Sequence, residues 1–303
     1  MVRPVTATCD LDRAVIAGLT PFDPVPSLGH ECVAEIVELG PDVPGLAVVP
    51  WHVSCGSCEN RRDGAPSRCA AVPRHAMFGL PLGGDWGGLF ADLVRVPWAA
   101  ANLVRVPAGV DPGAVASASD NLVDAYRSVL LGQRRLPGAP VLVFGGTSIG
   151  LWACAFAGAL GGERVVYVDG DERRRRIAGG YGADAASTVE ELDRPEYPLT
   201  VDAAGHPKGL SSALRATAPG GYCHSVGIYF ADTRVPTGPM YLNAVTLTTG
   251  PPDVTPHLAD VLALVSAGTV DPMPVFSDRC TFDALPEVLR DVPEKPLVTR
   301  SPS

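Results

Sequence analysis

The sequence predicts an α/β protein in which a parallel, doubly wound sheet over about 121–250 is joined to a β-rich region that precedes it. Three observations predict this. Residues 1 to about 115 carry short runs of alternating apolar and polar residues cut by prolines and glycines. From about 111 the apolar residues take helical spacing, and residues 141–169 then read as strand, glycine turn, helix and strand.

Taken in order, the runs "CVAEIVELG", "LAVVPW" and "FADLVRVPW" predict strands of the first region. The stretch "DPGAVASASDNLVDAYRSVLLG" opens with Asp and Pro and stops at Gly132, which predicts one helix, or two broken near Ser119. Val141 to Phe144 predicts a buried strand, Ile149 to Leu160 an apolar helix, and Arg164 to Val168 a second buried strand ending at Asp169. Strand and helix keep alternating through "LTVDAAG", "GLSSALRATAPGG", "YCHSVGIY" and "AVTLTTG". The tail from "HLADVLALVSAG" ends in extended segments expected to rejoin the first region.

Composition narrows the function classes. With 303 residues and 46% apolar content the chain has ample material for a core. A net charge of -9 and a pI near 5.1 offer no basic face to a phosphate backbone, and the run Arg173 to Arg176 is bracketed by Asp169, Asp171 and Glu172. Nucleic acid is not expected as a partner. No run of about eighteen uncharged apolar residues predicts a membrane span, and "MVRPVTATCDLDRAV" lacks the apolar core of a signal peptide, so a cytoplasmic protein is expected. The eight cysteines are scattered, and only Cys55, Cys58 and Cys69 cluster, so metal binding or burial is expected in place of a disulfide scaffold.

Gly145, Gly146, Thr147, Ser148, Ile149 and Gly150 occupy the strand-to-helix turn where a dinucleotide fingerprint brings backbone amides to a pyrophosphate. Thr147 stands at the middle glycine, where a Cβ crowds the diphosphate. Asp169 ends the next strand at the distance needed to bond a ribose diol, and its charge repels a 2′-phosphate. NAD is therefore expected over NADP, with Arg173 and Arg174 softening the preference.

The stretch "SLGHECVAEIVELGPDV" sets an imidazole and a carboxylate side by side ahead of a strand. Cys9, His30 and Asp120 offer a sulfur, an imidazole and a carboxylate, the three protein ligands of a catalytic zinc that leaves its fourth position to substrate. Glu31 either joins them or lies just behind. Singly, Cys9 also reads as a buried thiol, His30 as a core histidine and Asp120 as a helix cap.

Together these residues give a resemblance. A cysteine, then Gly-His-Glu, a cysteine cluster and an acid in the helix before a nucleotide fold is similar to the zinc-dependent medium-chain alcohol dehydrogenases. "GHECVAEIVELGPDV" keeps Gly29, His30, Glu31, Gly40 and Val43 at that family's spacing, with Ala34 where glycine is usual; "GGLFADLVRVPWAAANLVRVPAGV" and "LRATAPGGYCHSVG" extend the likeness. Asp120 in place of the commoner cysteine resembles the formaldehyde dehydrogenase branch. The resemblance implies a GroES-like catalytic domain over 1–120, completed by 251–303, and a Rossmann domain over 121–250, with the active site in the cleft between them. It also implies one catalytic zinc and hydride transfer between NAD and an alcohol or aldehyde. Val226, Gly227, Thr248 and Thr249 would orient the nicotinamide, Trp51, Trp86 and Tyr126 would wall the pocket, and a homodimer or homotetramer is implied.

Against the family pattern, Leu11 replaces the Ser or Thr that starts the proton relay, leaving Asp10, Asp12 or His52 to substitute. The second zinc lobe keeps Cys55, Cys58 and Cys69 but has Arg61 at its third position, so that lobe is expected to be empty of metal. The family has several strands' worth of sequence ahead of the first zinc cysteine, so the catalytic domain reads as trimmed. Two other functions follow from these departures: a zinc-free or altered reductase acting on enals or in a non-redox rearrangement, and an inert nucleotide-binding protein.

Overall fold

In the computed structural model the described residues are all but 9, 23–26, 39–44, 292–293 and 301–303. Cys9, and with it Gly40 and Val43 of the signature, therefore lies outside the described residues. The strands are β1 (Val2–Thr8), β2 (Glu31–Ile36), β3 (Leu46–Val49), β4 (Val104–Arg105), β5 (Val141–Phe144), β6 (Val165–Val168), β7 (Asp184–Ala186), β8 (Tyr197–Asp202), β9 (Thr217–Ser225), β10 (Thr246–Thr249), β11 (Asp278–Thr281) and β12 (Pro296–Thr299). The helices are α1 (Leu11–Ile16), α2 (Glu59–Arg62), α3 (Ala99–Asn102), α4 (Asn121–Arg135), α5 (Ile149–Ala159), α6 (Glu172–Gly180), α7 (Pro207–Arg215), α8 (Thr237–Leu242), α9 (Leu258–Ser266) and α10 (Leu285–Arg290). None of the described helices is long and apolar enough to cross a membrane.

The chain divides into two compact units, Met1–Val123 with Pro252–Ser303, and Asp124–Pro251. The first holds a mixed sheet in the order β11-β12-β1-β2-β3-β4. Its outer pair, β11 and β12, is parallel, and β12 runs antiparallel to β1 with Thr6 opposite Thr299. Val2, Ala7, Cys32, Ala34, Val49, Phe78 and Leu89 form the core of this unit. Alternation along the strands supplies it, since inward residues of a half-buried sheet recur every second position.

The segment "FADLVRVPW" departs from the expected strand. Val94 and Val96 are buried and alternate with exposed Leu93 and Arg95, so the period-two burial is present, yet among the described residues the ladder contact there is a single pair of 2.9 Å backbone bonds between Val94 and Val2. Alternation reports burial; a strand also needs a neighbour along its length.

The second unit holds a fully parallel sheet in the order β10-β9-β8-β5-β6-β7, the doubly wound arrangement with its switch point between β5 and β8. All four residues of β5 and of β6 are buried, as both-face coverage of a parallel sheet demands. Helix α4 does not stop at Gly132 but continues to Arg135, ending ahead of Pro137. Gly132 serves packing: a Cβ there would lie 3.1 Å from Leu199 of β8, so the glycine lets the helix close on the sheet.

Candidate active site

The Gly-His-Glu triplet sits at the entry to β2. Gly29 has φ of +86°, and a Cβ on it would lie 2.7 Å from the backbone nitrogen of Phe90, so only glycine fits this turn. Its N–H donates to Oδ2 of buried Asp12 at 2.8 Å, which ties α1 to the turn. His30 leaves the turn buried, and its Nε2 lies 2.9 Å from Oδ2 of Asp120. Donors on a tetrahedral zinc with bonds of about 2.1 Å stand about 3.4 Å apart, so imidazole and carboxylate are within about half an ångström of sharing a cation. The donor set fits zinc.

Asp120 follows a 3-10 turn, Ala116–Ser119, which is pinned on two sides. Ser119 Oγ accepts from the N–H of Cys32 and donates to its carbonyl, both at 2.9 Å, while the Ser119 carbonyl accepts from the N–H of Trp51 at 3.1 Å. Glu31, fully buried, accepts from Ser117 Oγ, from the N–H of Asn121 at 3.1 Å and from Nζ of Lys295. One carboxylate thus joins the neighbour of His30 to both flanks of Asp120. Lys295 also stands 3.5 Å from Asp10 Oδ1, which accepts from Asn121 Nδ2 at 2.6 Å. Burial pushes the Glu31 carboxyl above the usual carboxylate range, opposed by the charges of Lys295 and His30. Of the two positions open to it, Glu31 takes the one behind the His30–Asp120 pair.

The candidate proton-relay residues have these surroundings. Asp12 is occupied by Gly29, and Asp10 by Asn121 and Lys295. His52 is buried edge-on to Trp51 with neither ring nitrogen hydrogen-bonded, and burial followed by the charge of Arg61 pushes its pKa down to about 3. It stays neutral at physiological pH. Trp51 donates Nε1–H to the carbonyl of Pro252 at 3.1 Å, and Trp86 does so to Gly83 at 2.9 Å. Tyr126 is core, packed edge-on against Phe156 at 5.3 Å.

The sulfurs of Cys55, Cys58 and Cys69 all lie within 4.8 Å of one another, those of Cys58 and Cys69 at 3.8 Å. The three thiols form a soft donor set with one tetrahedral position left over. Arg61 of α2 does not enter it and donates to the carbonyl of Ala101 at 3.2 Å. The N–H groups of Ser57 and Cys58 draw the Cys55 thiol down to about 6.

In the second unit the glycine loop follows β5. Gly145 and Gly146 have positive φ, and a Cβ on Gly150 would meet the Gly145 carbonyl at 1.8 Å, so the turn closes tightly over the start of α5. Thr147, Ser148 and Ile149 complete it. Gly145 and Gly146 of the loop, with Asp169, Arg174 and Lys208, line a cavity of about 330 Å³. Asp169, at the end of β6, accepts from Tyr167 Oη at 2.9 Å, from Arg174 Nη1 at 3.0 Å and from the N–H of Asp171 at 2.8 Å. The carboxyl ends of β8, β9 and β10 align, with Asp202 opposite Ser225 and Ser225 opposite Thr249. Thr248 pairs with His224, and the N–H of Val226, ahead of Gly227, donates to the Asp202 carbonyl at 2.9 Å. Asp202 itself, which sequence reasoning passed over, accepts from Ser225 Oγ at 2.8 Å and Tyr229 Oη at 2.7 Å.

Two sheets of this kind, one mixed and one in doubly wound order behind a glycine loop, define an oxidoreductase built from a GroES-like unit and a Rossmann unit. The alcohol dehydrogenase GroES-like domain matches residues 4–108, and the zinc-binding dehydrogenase domain matches residues 148–250. The chain belongs to the zinc-dependent medium-chain alcohol dehydrogenase family. It is 29% identical over 297 residues to a probable zinc-binding alcohol dehydrogenase of Mycobacterium tuberculosis, covering 93% of this chain and 76% of that one. With the L-threonine 3-dehydrogenase of Pyrococcus horikoshii it shares 31% identity over 217 residues, 67% of this chain and 59% of the relative's length. The structure of alcohol dehydrogenase TADH from Thermus sp. ATN1 superposes with a TM-score of 0.86 at 27% identity, over 99% of this chain and 92% of that one.

Proposed function

We propose that the chain is an NAD(H)-dependent zinc oxidoreductase that interconverts an alcohol and an aldehyde or ketone, with zinc held by His30, Asp120 and Cys9. The observation that carries this reading is the 2.9 Å approach of His30 Nε2 to Asp120 Oδ2, two ligand-type atoms brought together from positions 90 residues apart. The names of the relatives, alcohol dehydrogenase and L-threonine 3-dehydrogenase, support a hydroxyl-bearing substrate. When bound, zinc supplies a Lewis acid for the substrate oxygen and the dinucleotide supplies the hydride partner.

The chain's own residues do the rest. Glu31 and Ser119 hold the backbone beside the ligand pair, and Lys295 balances the Glu31 charge, so the segments that carry the ligands are pinned in place. Leu11 can hold no proton, and His52 is kept neutral, so the substrate proton leaves by a route that uses neither as a charged carrier. Asp169 and the glycine loop support binding of the adenosine and pyrophosphate of NAD. Val226, Gly227, Thr248 and Thr249 support the nicotinamide end. We read the functional form as a homodimer or homotetramer.

Metal analysis of gently purified protein, paired with absorbance of the reduced cofactor, tests this reading. About one zinc per chain is expected in the wild type and in Cys55→Ser, with loss of that zinc and of alcohol-dependent NADH formation in His30→Ala. Metal-free protein, or turnover of enals with no turnover of alcohols or aldehydes, would overturn it.

A further inference from the structure

The carboxyl end of β8 lies beside the switch point of the parallel sheet, which is where sheets of this order receive a ligand. Asp202 ends that strand fully buried, and its two carboxylate oxygens serve different segments. Oδ1 accepts from the N–H of Ala204 at 3.2 Å. Ala204 lines the cavity beside the glycine loop, so close to Gly145 that a Cβ on that glycine would stand 3.1 Å from the Ala204 Cα. Oδ2 accepts from Ser225 Oγ at 2.8 Å and from Tyr229 Oη at 2.7 Å. Burial pushes the Asp202 carboxyl above the usual carboxylate range, and these donors, Tyr229 foremost, oppose the rise.

Tyr229 closes a clasp on this one residue. The Asp202 carbonyl accepts from the N–H of Val226 at 2.9 Å, so the backbone of Asp202 holds the first residue of the segment 226–229 and its carboxylate holds the last. Gly227 sits inside the clasp: a Cβ on it would lie 2.9 Å from Cε2 and 3.0 Å from Oη of Tyr229, so the backbone passes the ring at a distance that a side chain would forbid. Ile228 and Phe230 are exposed, whereas the Tyr229 ring between them turns back and packs on the core of the second unit. A hydroxyl bonded to a carboxylate holds more strongly than one bonded to a neutral acceptor. A loop fixed in this way has lost its freedom before a ligand arrives, and that lowers the cost of binding.

We propose that Tyr229 is a positioning residue for the nicotinamide end of the dinucleotide: clasped by Asp202, it holds the backbone at Val226 and Gly227 in the shape that receives the ring. This rests on the reading of the cavity and of Val226 and Gly227 given above. Because Asp202 also fixes Ala204 on the cavity wall, one buried carboxylate ties the nicotinamide segment to the wall that takes the adenosine half.

Calorimetric titration of the full chain with NADH and with ADP-ribose, which lacks the nicotinamide, tests it without any turnover. Tyr229→Phe keeps the ring on the core and removes only the hydroxyl. It is expected to weaken NADH by about tenfold, the scale of a lost hydrogen bond to a charged group, and to leave ADP-ribose within about twofold of the wild type. Ser225→Ala takes the other hydroxyl from the same oxygen but leaves the clasp closed, and is expected to hold both constants within about threefold. The ratio of the NADH constant to the ADP-ribose constant is the readout, since a general loosening of the unit would move both alike. A rise of more than about threefold in that ratio for Tyr229→Phe alone is the expected result. A Tyr229→Phe ratio within about threefold of the wild-type one, an equal rise in Ser225→Ala, or loss of both ligands in Tyr229→Phe overturns the proposal and leaves the dinucleotide reading standing. Failure of the wild type to bind either ligand overturns that reading, and the proposal with it.

Discussion

Lys295 and Glu31 are both fully buried and bonded to each other, 264 residues apart in sequence. Taking one charge from such a pair strands the other in a low-dielectric interior, whereas taking both removes the problem. Lys295→Met is therefore expected to destabilise the protein by about 3–5 kcal/mol, and Glu31→Gln combined with Lys295→Met to recover most of that loss, with urea unfolding as the measurement. Losses that simply add would show that the two act separately. Nothing in "EKPLVTR" announces this role, because a lone lysine in a tail looks like any solvated cation. His30 and Asp120 were legible because residue type, order and spacing repeat a known pattern. The task of Asp12 was not, since sequence shows that a carboxylate is present and not that it turns toward the N–H of Gly29.

Elements follow the same division. Strands β5 and β6 were readable because uninterrupted apolar runs bounded by glycines match strands covered on both faces. The end of α4 was misread at Gly132 because a glycine needed for close packing and a glycine that stops a helix look alike in sequence. Strand β9 carries a cost of its own. His224 is buried with Nδ1 bonded to Tyr222 Oη at 3.1 Å, and burial, then the charge of Arg127, pushes its pKa from 6.5 down to about 3. The unfolded chain takes up this proton near 6.5 and the fold refuses it until about 3, so stability is full above that window and falls as pH drops through it. The slope from this one group approaches about 1.4 kcal/mol per pH unit. His224→Gln removes the group, and its urea midpoint is expected to fall less than that of the wild type between about pH 7 and about pH 4.5. Equal falls would show that His224 does not drive the acid limb.

At the scale of the whole molecule the unresolved matter is the edge of the second unit's sheet. Strand β10 ends the order, so one side of its backbone has no neighbouring strand among the described residues. The segment leading to it from β9 displays Ile228, Phe230, Tyr241 and Leu242 at 58%, 48%, 86% and 81% exposure. An open edge beside an apolar surface is where another chain adds on. Charge does not oppose contact at this place: the chain carries -9 overall, but between Val226 and Gly250 the single acid Asp232 is matched by Arg234, so this segment has no net charge. The protein is expected to elute as a dimer or tetramer in size-exclusion chromatography with light scattering. Leu242→Glu combined with Tyr241→Glu places two charges per copy at that surface and is expected to yield a smaller species that keeps the wild-type thermal midpoint of its second unit. A monomeric wild type at micromolar concentration, or an unchanged assembly in the double variant, would show that the edge is covered in some other way.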